Sequence, residues 1–197
     1  MTKQAAVKAL CASVRESATL IRTLESEAER IADIGAELVK ILRRGGKLLT
    51  AGNGGSAAEA LHMSEELIGR FLANRRALPA VSLVADPTAM TCIGNDFGFD
   101  EIFSRQVQGL GNEGDMLAVF STSGNARNLR RAVEAAREKN MRVVCLLGRD
   151  GGPMAGLGDH QIIVRGDQTA RIQEAHQVIV HLLLELVEDA FPPENNE

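Results

Sequence analysis

Tryptophan and tyrosine are absent from the 197-residue chain, and six phenylalanines bring the aromatic share to only 3%. That shortage argues against a protein that stacks nucleobases on aromatic side chains. Basic charge is also scarce. The 22 Lys+Arg against 26 Asp+Glu leave a net charge of −4, without the basic excess that a nucleic-acid backbone attracts. No apolar run approaches the ~20 residues that cross a bilayer. The N-terminus, MTKQAAVKALCASVRESATLI, carries charge throughout and lacks the apolar block of a signal peptide. No membrane association is expected, and a cytoplasmic location is. The three cysteines, Cys11, Cys92 and Cys145, are too few and too scattered for a disulfide framework or a metal knuckle. Two of them stand in apolar stretches and read as small core residues.

What the chain does have is aliphatic bulk. Hydrophobic residues make up 45%, enough for a folded core. At roughly 100–200 residues per domain, one domain with an appended arm is expected. Residues 3–43 read as two helices broken near 23–27. Val7, Leu10, Val14 and Ile21 form one stripe, and Ile31, Ile34, Leu38, Ile41 and Leu42 a second. Such an arm, residues 1–44, points to oligomerisation, with a partner subunit as its seat.

From residue 45 to 197 short apolar strands alternate with helices. Strands are expected at 47–51, 80–84, 116–120, 142–147 and 161–164, with helices at 57–71, 100–109, 126–139 and 169–191. Asp86-Pro87 reads as a helix N-cap with proline at the first position, and Gly94–Gly98 as a glycine-rich turn. Wholly apolar strands separated by helices imply a three-layer α/β/α sandwich around a five-stranded parallel sheet, the flavodoxin-like arrangement.

Two loops of small residues follow strands in this pattern: Gly52-Asn53-Gly54-Gly55-Ser56 and Ser121-Thr122-Ser123-Gly124-Asn125. Backbone N–H groups and hydroxyls at a helix N-terminus suit a phosphate without a lysine. The first loop also fits a loose dinucleotide fingerprint (Gly52, Gly54, Ala57). Its acidic partner is due about 20 residues on, and Asp86 stands 29 past Ala57. A P-loop is excluded because no Gly-Lys-Ser/Thr occurs. Two ordinary serine-capped turns are the plain alternative, but the pair favours a sugar-phosphate site.

His62 and Glu66 stand four apart on the helix after the first loop, hence on one face. On the last helix, Gln173 and His181 fall roughly on one side, and His181 interrupts an apolar run where an imidazole needs a partner. A carboxylate, an imidazole and two phosphate cradles suit proton transfer between adjacent carbons of a sugar phosphate. Taken singly, the His–Glu pair also fits a surface contact, and His181 a hydrogen-bonded core residue. His62, Glu66, Gln173 and His181 equally fit a divalent metal, with Gln an unusual ligand. His160 and His176 read as solvated or structural. Glu65 reads as facing solvent or pairing with Arg70.

Five segments carry a family likeness: AGNGGSAAEALHMSEELIGRF (51–71), TCIGNDFGFDEIFSRQV (91–107), STSGNARNL (121–129), GRDGGPMAG (148–156) and TARIQEAHQVIVH (169–181). In this order and spacing the chain resembles the sugar isomerase (SIS) domain family along nearly its whole length. The resemblance implies an aldose–ketose isomerase that converts D-sedoheptulose 7-phosphate to D-glycero-D-manno-heptose 7-phosphate, the entry to nucleotide-activated heptose for lipopolysaccharide. By match to the family motifs, Glu66 is the base forming an enediol and His181 the opposing acid. Ser56, Ser121, Thr122 and Ser123 hold the phosphate, with Asn53, Gly54, Gly55, Asn95, Asp96 and Gln173 also contacting substrate. The resemblance further implies zinc on His62, Glu66, Gln173 and His181, no nucleotide cofactor, and a homotetramer with active sites shared between subunits. Ala126 and Ala170 depart from the Ser and Asp that many relatives carry. Two other classes share the fold: a non-catalytic relative that binds the replication initiator, and a sugar-phosphate sensor. The initiator-binding relatives lack the residues matching Glu66 and His181, and the acidic tail after Pro193 resembles some of them.

Overall fold

Every residue of Leu48–Gly52 (β1) and of Met116–Ser121 (β3) is buried. Strands without a polar face are stable only when both faces of their sheet are covered. In the computed structural model, which describes residues 1–193, they form the centre of a five-stranded parallel sheet. The other strands are Ala80–Ser82 (β2), Arg142–Gly148 (β4) and His160–Val164 (β5), in the order β2-β1-β3-β4-β5. Alternate residues feed opposite cores. Leu48, Ala118 and Leu146 face one side, and Leu49, Val119 and Cys145 the other. The α/β/α layering is therefore the one anticipated. The acidic tail beyond Pro193 lies outside the described residues.

Two helical hairpin arms precede the sheet: Lys3–Arg22 (α1) and Ala28–Arg43 (α2), joined by a 3-10 turn at Thr23–Glu27 where the break was expected. The apolar stripe of α2 is buried in the same core as the sheet. That of α1 is not, and Val7, Leu10 and Val14 remain exposed. The remaining helices are Gly55–Ile68 (α3), Pro87–Phe97 (α4), Ser104–Leu110 (α5), Arg127–Glu138 (α6) and Thr169–Ala190 (α7). Arg171 on α7 donates to the Ser13 carbonyl and the Ser17 hydroxyl, each at 3.1 Å, so α1 lies against the start of α7.

Two expectations need correction. Residues 94–97 are not a turn. Asp86 accepts from the amides of Thr88 and Ala89 at 2.8 and 3.0 Å, and the helix so started runs through Gly94 to Phe97. It stops at Gly98, whose φ of 91° has left the right-handed region. Among the cysteines, Cys145 alone is buried, while Cys11 and Cys92 sit on exposed helix faces. Helical periodicity turns their side chains outward although their neighbours are apolar. Burial pushes the Cys145 thiol up to about 12.

Candidate active site

The sheet order reverses between β1 and β3: β2 lies on one side of that pair, β4 and β5 on the other. At such a switch point the two connections diverge and open a crevice beyond the strands' carboxyl ends. Both small-residue loops sit at that crevice, one leading from β1 into α3 and the other from β3 into α6.

Glycine is required in each loop for a particular reason. Gly55 opens α3, and a Cβ there would run into the side-chain amide of Gln173, so its bareness lets α7 press against the first loop. Gly124 has φ 62°, and a Cβ on it would run into the Gly151 carbonyl of the loop after β4. The first turn is closed by Ser56 N–H donating to Asn53 O and Ala57 N–H to Gly54 O, both at 3.1 Å. In the second, Ser121 Oγ accepts from Gly124 N–H at 3.1 Å and Ser123 Oγ from Asn125 N–H at 3.3 Å. Accepting these bonds turns each hydroxyl's own hydrogen to another acceptor. Asn53 and Asn128 exchange two amide bonds of 2.9 Å, tying the first loop to α6. The pair of loops thus presents hydroxyls and two helix N-termini, the chemistry that holds a phosphate dianion.

Further along the helices that leave the loops stand the ionisable groups. On α3, Nε2 of His62 lies 3.2 Å from Oε1 of Glu66. The His181 ring, on α7, lies 5.3 Å from the His62 ring between centroids, and Phe71 covers it at 5.8 Å. Three of the four residues expected as a constellation therefore meet. His62 touches Glu66 and His181, and Gln173 closes the end beside Gly55. Asn95 and Asp96 are different. They are exposed on α4, with Asn95 Nδ2 donating to Asp96 Oδ1 at 2.7 Å, and among the described residues they make no hydrogen bond to either loop. Glu65 is exposed, as expected, while Arg70 donates to Asn74 at 3.1 Å. His160 meets Glu37 at 2.6 Å, and His176 is fully buried, its Nε2 donating to the Leu147 carbonyl at 3.1 Å.

Three neighbours were missed in the sequence. Gln177 Nε2 lies 3.0 Å from His181 Nε2, an i, i+4 relation that helical spacing offered. Asn128 and Phe71 carry no local signal, since each meets the site only through the fold. For a metal, the donor types are apt. His62 Nε2 is buried without a hydrogen-bond partner beside the Glu66 carboxylate, a two-point seat for a cation. His181 Nε2 is engaged with Gln177, and among the described residues no three His, Cys, Asp or Glu side chains converge as a cage.

Comparison with known proteins gives the same reading. The family model described as the SIS domain matches residues 13–148. The phosphoheptose isomerase of Geobacter sulfurreducens is 46% identical over 93% of this chain and 98% of its own length. That of Pelobacter propionicus is 49% identical over 82% of this chain and 85% of its own. Among solved structures, a phosphoheptose isomerase from Neisseria gonorrhoeae superimposes with a TM-score of 0.85 at 40% identity, covering 91% of this chain and 98% of that one. One from Francisella tularensis gives 0.86 at 34%, covering 96% and 100%. The chain belongs to the SIS domain family and, within it, to the phosphoheptose isomerases.

Proposed function

We propose that the protein interconverts D-sedoheptulose 7-phosphate and D-glycero-D-manno-heptose 7-phosphate. One observation carries the reading: a carboxylate from α3 and an imidazole from α7 converge on His62, on the helix that leaves the first of two phosphate-type loops. The loops take the 7-phosphate through backbone N–H groups, Ser56, Ser121, Thr122 and Ser123. Anchored at that end, the chain of the sugar lays C1 and C2 along the seam between α3 and α7. Glu66 removes a proton from C1 while His181 delivers one to the C2 carbonyl oxygen, giving a 1,2-enediol. Return of a proton to C2 and loss of the O1 proton yield the aldose, with no net change in charge. Gln177 beside His181 and Phe71 over its ring hold the imidazole in place. Asn53 and Gln173 border the crevice and orient the sugar hydroxyls. Asn95 and Asp96 join a site through assembly, reaching substrate from a neighbouring subunit.

His62, Glu66, Gln173 and His181 would hold a zinc ion, which would polarise the substrate's oxygens. Assembly as a homotetramer is supported by the bare stripe of Val7, Leu10 and Val14 on α1. No described helix is long and apolar enough to cross a membrane. A cytoplasmic location fits three free cysteines, and the product would feed nucleotide-activated heptose for lipopolysaccharide. Initiator binding without catalysis and simple sensing are not favoured, because Glu66 and His181 are both in place. The test is to supply sedoheptulose 7-phosphate to the purified protein and follow the appearance of an aldose phosphate by NMR. Turnover supports the reading, and its absence with and without added zinc overturns it.

A further inference from the structure

Contacts between α3 and α7 occur in the same order along both helices. Gly55 meets Gln173, Glu59 lies 3.9 Å from His176, and His62 faces His181. Beyond Ile68 the chain folds back, and Arg75 places its guanidinium at the end of α3, with its side chain 1% exposed. It donates to the Glu66 carbonyl at 2.7 Å, to the Leu67 carbonyl at 2.9 Å and to Oε2 of Glu188 on α7 at 3.0 Å. The other oxygen of Glu188 accepts from Ala73 N–H at 2.5 Å and Leu72 N–H at 3.3 Å. The last carbonyls of a helix lack intrahelical donors. Here one arginine satisfies two of them and joins them to α7 by a charge-assisted bond.

One of those carbonyls is the backbone of Glu66 itself. We infer that Arg75 and Glu188 are positioning residues for Glu66, fixing the end of α3 against α7 and so setting the base opposite His181. This rests on the reading of Glu66 as the base. The phosphate loops lie at the opposite end of α3, so loss of the fastening displaces the proton-transfer geometry and leaves substrate capture intact. A displacement of about 1 Å in such a geometry costs on the order of 100-fold in rate.

The probe is the R75M/E188Q double variant. It strands no buried charge, and the amide oxygen that replaces the Glu188 carboxylate still accepts from Leu72 and Ala73. R75K keeps a cation with donors but loses the planar fork. Circular dichroism and gel filtration report fold and assembly, and steady-state kinetics on sedoheptulose 7-phosphate report function. The double variant is expected to hold KM within about two-fold while kcat falls about 100-fold, and R75K to recover about ten-fold of that loss. A wild-type kcat in the double variant overturns the inference, as does a loss confined to KM. Should the double variant not fold, R75K decides alone: lowered kcat at constant KM supports the inference, and unchanged kcat overturns it. An E66Q control separates the two levels. If E66Q turns over normally, the base assignment itself fails. If E66Q is silent while R75M/E188Q runs at full rate, only the positioning role fails.

Discussion

Glu66 and His181, the proposed base and acid, occupy unlike settings. Glu66 stands beside an imidazole nitrogen at 3.2 Å, and His181 is packed between His62, Phe71 and Gln177. General acid–base groups contribute about 10²–10⁴-fold, so H181A is expected to lower kcat by about 10³-fold with the fold unchanged, measured by circular dichroism alongside turnover. Wild-type turnover by H181A would contradict its role. Cys145 gives a second test at this scale. Its thiol is raised to about 12 by burial, so the reactive thiolate is withheld until the pH approaches that value. Native protein at pH 8 should leave Cys145 unalkylated by iodoacetamide in a peptide map, and denatured protein should not. Of these residues, His62, Glu66, Gln173 and His181 were legible in the sequence because helical spacing and an odd polar residue in an apolar run are local signals. Asn128 was not. Its bonds to Asn53 tie the loop after β1 to α6, which follows β3, and nothing within a window of sequence announces them.

The strands and helices were legible almost throughout, for a physical reason: periodicity of burial is written into each segment. The segment 94–98 shows where that fails. Glycines near Asn and Asp look like a turn, yet the Asp86 cap starts a helix whose later residues tolerate one glycine. Loop glycines can be tested singly. G124A places a Cβ against the Gly151 carbonyl at a φ of 62°. A destabilisation of about 1–3 kcal/mol is expected, read as a lowered denaturation midpoint. The same variant should raise KM for the phosphorylated sugar, because Ser121 and Ser123 are shaped by that turn. Unchanged stability and KM would mean that the loop is not the close-fitted cradle described here.

At the scale of the molecule, one sheet carries two cores, and the crevice opens where the strand order reverses. The arm divides sharply: α2 completes this chain's own core, whereas α1 exposes Val7, Leu10 and Val14. A self-association face is expected there, and L10E/V14E should shift the sedimentation coefficient to a smaller species and depress activity with it. An unaltered assembly would place the interface elsewhere. Exposed Asn95 and Asp96 belong to the same question, since their sequence match points to substrate while, among the described residues, they make no hydrogen bond to either loop.

The most direct measurement follows proton NMR of sedoheptulose 7-phosphate in D2O with wild-type protein and E66Q side by side. An enediol formed by Glu66 predicts an aldose phosphate carrying solvent deuterium at C2 in the first sample and neither product nor exchange in the second. Equal turnover in both samples, or no aldose phosphate in either, would contradict the account.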